Sequence, residues 1–96
     1  MSYNFSSEKN LKLKEERGIS FEAIIAALDG GLLLDVIDNP NHNKYHNQKI
    51  MVVNINNYVY LVPYIEEEHQ VFLKIIFPSR KFTKVYLGEM KHESKT

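Results

Sequence analysis

The stretch Lys49-Ile50-Met51-Val52-Val53-Asn54-Ile55-Asn56-Asn57-Tyr58-Val59-Tyr60-Leu61-Val62-Pro63-Tyr64-Ile65 decides the fold. Two runs rich in β-branched and aromatic residues flank a pair of asparagines, a residue type that tolerates the left-handed backbone of a two-residue hairpin turn. The reading is a strand over 49–55, a tight turn at Asn56-Asn57 and a returning strand over 58–65. Pro63 has no N–H to give to a ladder, so it belongs at a bulge or against an unpaired edge. The uncharged run from Ile50 to Ile65 is sixteen residues long and carries Asn54, Asn56 and Asn57. It is too short and too polar to span a bilayer, so no membrane segment is expected.

Working outward from this hairpin, Leu32 to Ile37 reads as a preceding strand, joined to it by the polar loop Asp38-Asn39-Pro40-Asn41-His42-Asn43-Lys44. On the other side, Glu66 to Gln70 reads as a turn and Val71 to Phe77 as a fourth strand. Pro78-Ser79 then starts a short helix that turns Phe82 and Val85 or Tyr86 to the core, and the polar tail from about Gly88 frays. Towards the N-terminus, Ser6 and Ser7 offer helix caps with Glu8 in the first turn, and Gly18 is a natural stop, giving a helix over 7–17 held by a narrow stripe of Leu11 and Leu13. Ser20 caps a second helix, in which Phe21, Ile24, Ile25 and Leu28 share one face before Asp29-Gly30-Gly31 ends it. A further short strand at Tyr3 to Phe5 can join the sheet. The expected fold is a single α+β domain over 1–96, with two N-terminal helices packed on an antiparallel sheet of about four strands and a short C-terminal helix.

The composition bounds the function. The 96 residues are 44% hydrophobic and 25% charged, as in ordinary globular domains. There is no cysteine, which removes disulfides, thiol nucleophiles and cysteine-ligated metals. Met1 to Ser6 has neither a basic start nor an apolar run, so no signal peptide is expected and the cytoplasm is the expected location. Twelve basic residues against twelve acidic ones leave no net charge, which argues against a dedicated nonspecific DNA binder, and no direct specific DNA binding by this chain alone is expected. The distribution is uneven. Residues 1–38 carry four bases and seven acids, whereas 39–65 hold Lys44 and Lys49 without an acid, and 71–88 hold Lys74, Arg80, Lys81 and Lys84 without an acid. If these two acid-free segments fold together, they make a surface suited to phosphate.

Phosphate-loop, dinucleotide and nucleophile-elbow motifs are absent. His42 and His46 have the spacing of two helical zinc ligands, but they lie in a loop with Asp38 the sole nearby third ligand; the reading is no metal and no cofactor, with a zinc hydrolase as a minor alternative. The densest polar runs are Tyr45-His46-Asn47-Gln48-Lys49, entering one strand, and Ser79-Arg80-Lys81, leaving another. The expectation is that these two strand ends meet on one rim of the sheet, joining Lys49, Arg80 and Lys81 in a cationic pocket flanked by Tyr45, His46 and Tyr86. Such a set can cleave RNA without a metal: one group takes the 2′-hydroxyl proton, cations stabilise the phosphorane, and another group protonates the leaving 5′-oxygen. The competing reading is that lysines and arginines at strand ends only solvate the sheet.

The run Arg17-Gly18-Ile19-Ser20-Phe21-Glu22, the loop with Pro40 and His42 followed by Tyr45, the strand meander, and the closing Pro78-Ser79-Arg80-Lys81 together resemble the BrnT-like branch of the RelE-fold toxins. The resemblance runs from about Phe5 to Leu87. His42 matches the histidine of the family's R-H-x-Y-G-E-E-R-type loop, although Asn41 stands in place of its arginine, and Tyr45 matches loosely. His46-Asn47-Gln48-Lys49 keeps one cation and lacks the family's acids, while Arg80 and Lys81 match its S-A-R-K-type run. The resemblance implies a type II toxin, an endoribonuclease that cleaves messenger RNA, free or on the ribosome, and is silenced by a cognate antitoxin. On that reading Arg80 neutralises transition-state charge, Lys49 and Lys81 bind phosphate, and His46, with Tyr45 as the alternative, moves protons. His42, Lys44, Lys84 and Tyr86 are the further RNA contacts. The alternative is a non-catalytic module that binds protein or RNA on the same scaffold.

Overall fold

The computed structural model describes residues 2–41, 43–44 and 47–88 in full and the backbone of 89–93. In chain order the elements are β1 (Ser2–Asn4), α1 (Ser7–Arg17), α2 (Phe21–Asp29), β2 (Leu33–Asp38), β3 (Gln48–Ile55), β4 (Tyr58–Glu67), β5 (Gln70–Leu73), β6 (Phe77–Pro78) and α3 (Arg80–Glu93). The fold is α+β as expected, with more strands than four. Among the described residues, no helix is long and apolar enough to cross a membrane.

Local chemistry sets the helix ends. The Ser6 hydroxyl accepts from the Lys9 N–H at 3.2 Å, and Gly18 closes α1 at φ 67°, a left-handed backbone that costs glycine nothing. In α2, Ser20 accepts from the Ala23 N–H at 3.1 Å. Its Phe21 N–H is satisfied from outside the helix, by the buried Asn10 side chain of α1, whose Oδ1 accepts at 2.8 Å while its Nδ2 donates to Glu22 at 2.8 Å. Asn10 thus fastens the two helices together at the point where α2 has orphan donors. The same bond holds the Glu22 carboxyl below its ordinary value near 4.5, helped by nearby Lys14.

The sheet order is β1-β5-β4-β3-β2, with β6 beside the first half of β4. β1 runs parallel to β5, and the other pairs are antiparallel. Asn56 and Asn57 take φ 53° and 65°, the two left-handed positions of the hairpin. Side chains alternate between two cores. Met51, Val53, Val62 and Tyr64 face α1 and α2 and pack on Phe21 and Ile24, both fully buried. Val52 and Val59 face the other way, onto Leu87, Phe82 and Tyr86 of α3. The sheet is therefore covered on both sides.

Two expectations need correction. The anticipated strand over 71–77 is two strands, because residues 74–76 leave the ladder opposite Pro63. The Lys74 N–H still reaches the Pro63 carbonyl at 2.8 Å, so the side of β4 on which proline lacks its donor is the side where the neighbouring strand breaks. Glu66 and Glu67 belong to β4, and the turn is confined to Glu68, at φ 54°, and His69. The helical backbone of α3 runs to Glu93.

Candidate functional site

α3 is locked onto β4 by a short chain of hydrogen bonds. The Ser79 N–H donates to the Val59 carbonyl at 2.9 Å, the Val59 N–H donates to the buried Thr83 hydroxyl at 2.8 Å, and that hydroxyl donates to the Ser79 carbonyl at 2.6 Å. Ser79 also caps the helix, its Oγ accepting from the Phe82 N–H at 3.1 Å. With Phe82, Thr83, Tyr86 and Leu87 turned to the sheet, helical spacing leaves Arg80, Lys81, Lys84 and Val85 on the outward arc. No acid stands in the first turn, and among the described residues none of the three cations meets a carboxylate. Cations at a helix N-terminus also lie at the positive end of the helix dipole, an arrangement that costs stability and raises the local potential towards an anion.

Lys49 is elsewhere. It stands opposite Tyr64 in the β3–β4 ladder, whereas Pro78 stands opposite Tyr60 and Ser79 bonds to Val59. Five residues of β4 separate the two levels, about 17 Å at roughly 3.4 Å per residue. Lys49 also shares the face of Met51, towards α1 and α2, and α3 covers the opposite face. The expected meeting of Lys49 with Arg80 and Lys81 therefore does not occur, and the reason is parity. β3 and the segment 70–78 both run antiparallel to β4, hence parallel to each other, so the start of one and the end of the other lie at opposite rims.

At its own rim Lys49 borders an open depression of about 480 Å³ with Asn47, Tyr64, Glu66, Glu67 and Glu68. Three carboxylates beside one ammonium make this a poor phosphate site. Burial and the neighbouring Glu66 charge push the Tyr64 hydroxyl above its ordinary value of 10.0. The six cations of the two acid-free segments are accordingly not pooled.

Tyr86 belongs to the sheet side of α3. Its ring stacks on Phe82 at 6.0 Å, and its hydroxyl donates to Asp35 of β2 at 2.7 Å, a bond that raises the Tyr86 pKa above 10.0 and keeps the phenol neutral. Lys44 lies in the turn before β3, where its N–H donates to the Asn41 carbonyl at 3.2 Å. His42, Tyr45 and His46 lie outside the described residues. Among the described residues no three His, Asp or Glu side chains group as metal ligands.

Two residues that matter here were not singled out from sequence. Thr83 reads as an indifferent helix residue, but a β-branched hydroxyl four residues after a Pro-Ser start is a signal for back-bonding to the capping residue. Asp35 interrupts the apolar run Leu32 to Ile37, which marks it as a side chain with a specific partner or an exposed edge. Comparison with family models, curated proteins and solved structures gives no match.

Proposed function

We propose that the chain is the toxin of a type II toxin–antitoxin pair, a metal-independent endoribonuclease that cleaves messenger RNA in the cytoplasm, free or on the ribosome, and is silenced by a cognate antitoxin. The observation that carries this reading is the cationic start of α3. The run Pro78-Ser79-Arg80-Lys81, which resembles the closing run of the BrnT-like toxins, supplies the cap and first turn of that helix, and Arg80, Lys81 and Lys84 point outward without carboxylate partners among the described residues.

In this reading the planar guanidinium of Arg80 pairs with the non-bridging oxygens of the scissile phosphate and gains most when charge accumulates on the phosphorane. Lys81 and Lys84 hold flanking phosphates. His46 and Tyr45, the proton carriers expected from the sequence, precede Gln48 and Lys49, which lie at the opposite rim, so neither is assigned proton transfer at the phosphate that Arg80 holds. Lys49 stands at the opposite rim, away from the scissile bond. The test is brief induction of the wild-type chain beside Arg80→Ala in bacterial cells, with 5′-end mapping of a reporter transcript. Growth arrest with new ends in the wild type alone supports the reading, and equal arrest with the same ends from Arg80→Ala overturns it.

A second reading has one observation in its favour. The separation of Lys49 from Arg80 leaves the anticipated three-cation pocket unassembled, which suits a module that binds RNA or protein through α3 without cutting. It predicts protected transcripts and no new ends.

A further inference from the structure

We propose that the free edge of β2 is a docking strand for an extended, basic segment of a partner protein. β2 is the last strand of the sheet, paired with β3 on one side and with nothing among the described residues on the other. Leu32, Leu33, Leu34 and Val36 are between 38% and 42% exposed, four large apolar residues within five positions. Such a contiguous apolar strip beside unpaired backbone groups is a template for strand addition.

The backbone geometry fits this use. In the β2–β3 ladder outward and inward groups alternate, and the Val36 N–H is turned away from β3, bonded at 2.8 Å to the carboxylate of its own neighbour Asp35. A side-chain oxygen thus holds the place that a partner strand's carbonyl would take. The register slips by one residue between Leu33 and Asp35, so Leu34 is the extra residue of a bulge, exposed at the same edge.

Charge selects the occupant. β2 itself carries Asp35 and Asp38 and no base, with Lys49 across the ladder from Asp38. The excess is negative. A second copy of this chain would bring two further aspartates against them, and like charges opposed across a strand pair destabilise it. A segment alternating apolar side chains with Lys or Arg meets both requirements: its apolar face covers Leu33 and Val36, and a cation takes over the Asp35 carboxylate that strand pairing releases from the Val36 N–H. The proposal is independent of the reading of α3, because it uses neither the outward cations nor RNA.

The test uses two capped peptides of about ten residues, one alternating valine with lysine and its twin carrying glutamate in place of lysine, titrated into the full chain and followed by amide NMR and hydrogen exchange. The lysine peptide is expected to shift the β2 amides, to protect the Val36 amide from exchange, and to bind about tenfold more tightly than the glutamate twin. Asp35→Asn should narrow that ratio, and Leu34→Lys should weaken the lysine peptide while the fold stays intact, as judged by unchanged α1 and α2 amide shifts. Equal affinity for both peptides, absence of shifts on β2, or a concentration-dependent self-dimer that protects Val36 in their place would each overturn the proposal.

Discussion

The two rims of the sheet carry similar sequence signals and opposite electrostatics. At the rim of the Asn56-Asn57 turn, Arg80, Lys81 and Lys84 stand on a helix clamped to β4 through Ser79 and Thr83, with no carboxylate partner among the described residues. At the other rim Lys49 stands among Glu66, Glu67 and Glu68. Both ends looked alike as basic residues next to strands. The difference teaches that a cation's worth to a phosphate depends on which acids the ladder brings to its level, and that strand direction determines this.

The sharpest way to break the comparison is at Arg80. Arg80→Ala should lower RNA cleavage on the order of 10²-fold, as loss of a transition-state donor does, whereas Lys49→Ala should stay within about twofold, as a remote surface change does. The check is the rate of cleavage of a defined transcript. Next in size is the clamp. Thr83→Val keeps the shape but leaves the Val59 N–H buried without an acceptor, and should cost about 1–3 kcal/mol in denaturant unfolding, read as a lower midpoint at unchanged slope. A smaller effect separates the lysines. Lys81→Ala should flatten the salt dependence of RNA binding by about 0.7 in the log–log slope, one phosphate contact on a single strand, while Lys49→Ala leaves the slope alone.

The smallest prediction concerns the bond that ties α3 to β2. Because Asp35 raises the Tyr86 pKa, the stability it confers is present below pH 10.0 and is lost as pH rises through the folded-state value. Asp35→Ala, which removes both the hydrogen bond and the charge, should bring the Tyr86 transition in an ultraviolet titration down towards 10.0. An unchanged transition would contradict the assigned cause.

Much of the fold was legible because it rests on local chemistry. Ser6, Gly18 and Ser20 end their helices as capping rules require, and Asn56-Asn57 makes the turn that its left-handed tolerance suggests. The break at 74–76 was half legible: Pro63 signalled a defect in the ladder, but the affected neighbour lies eleven residues on, and only pairing reveals it. The candidate site was legible in residue type and not in assembly. Arg80 and Lys81 could be chosen from their run, but the partnership with Lys49 needed the correct parity of three strands. Asp35 was hidden because an acid in an apolar run reads as an interruption until the two hydrogen bonds it accepts, from the Val36 N–H and from the Tyr86 hydroxyl, are seen.

The central claim is that RNA chemistry belongs to the α3 rim and not to a pocket shared with Lys49. The most direct test is 5′-end mapping of a reporter transcript after brief induction of the wild type, Lys49→Ala, Arg80→Ala and the double variant, with folding of each protein verified. The account predicts the same new ends from the wild type and Lys49→Ala, and none from Arg80→Ala or the double variant. Loss of the ends in Lys49→Ala with their survival in Arg80→Ala would contradict it.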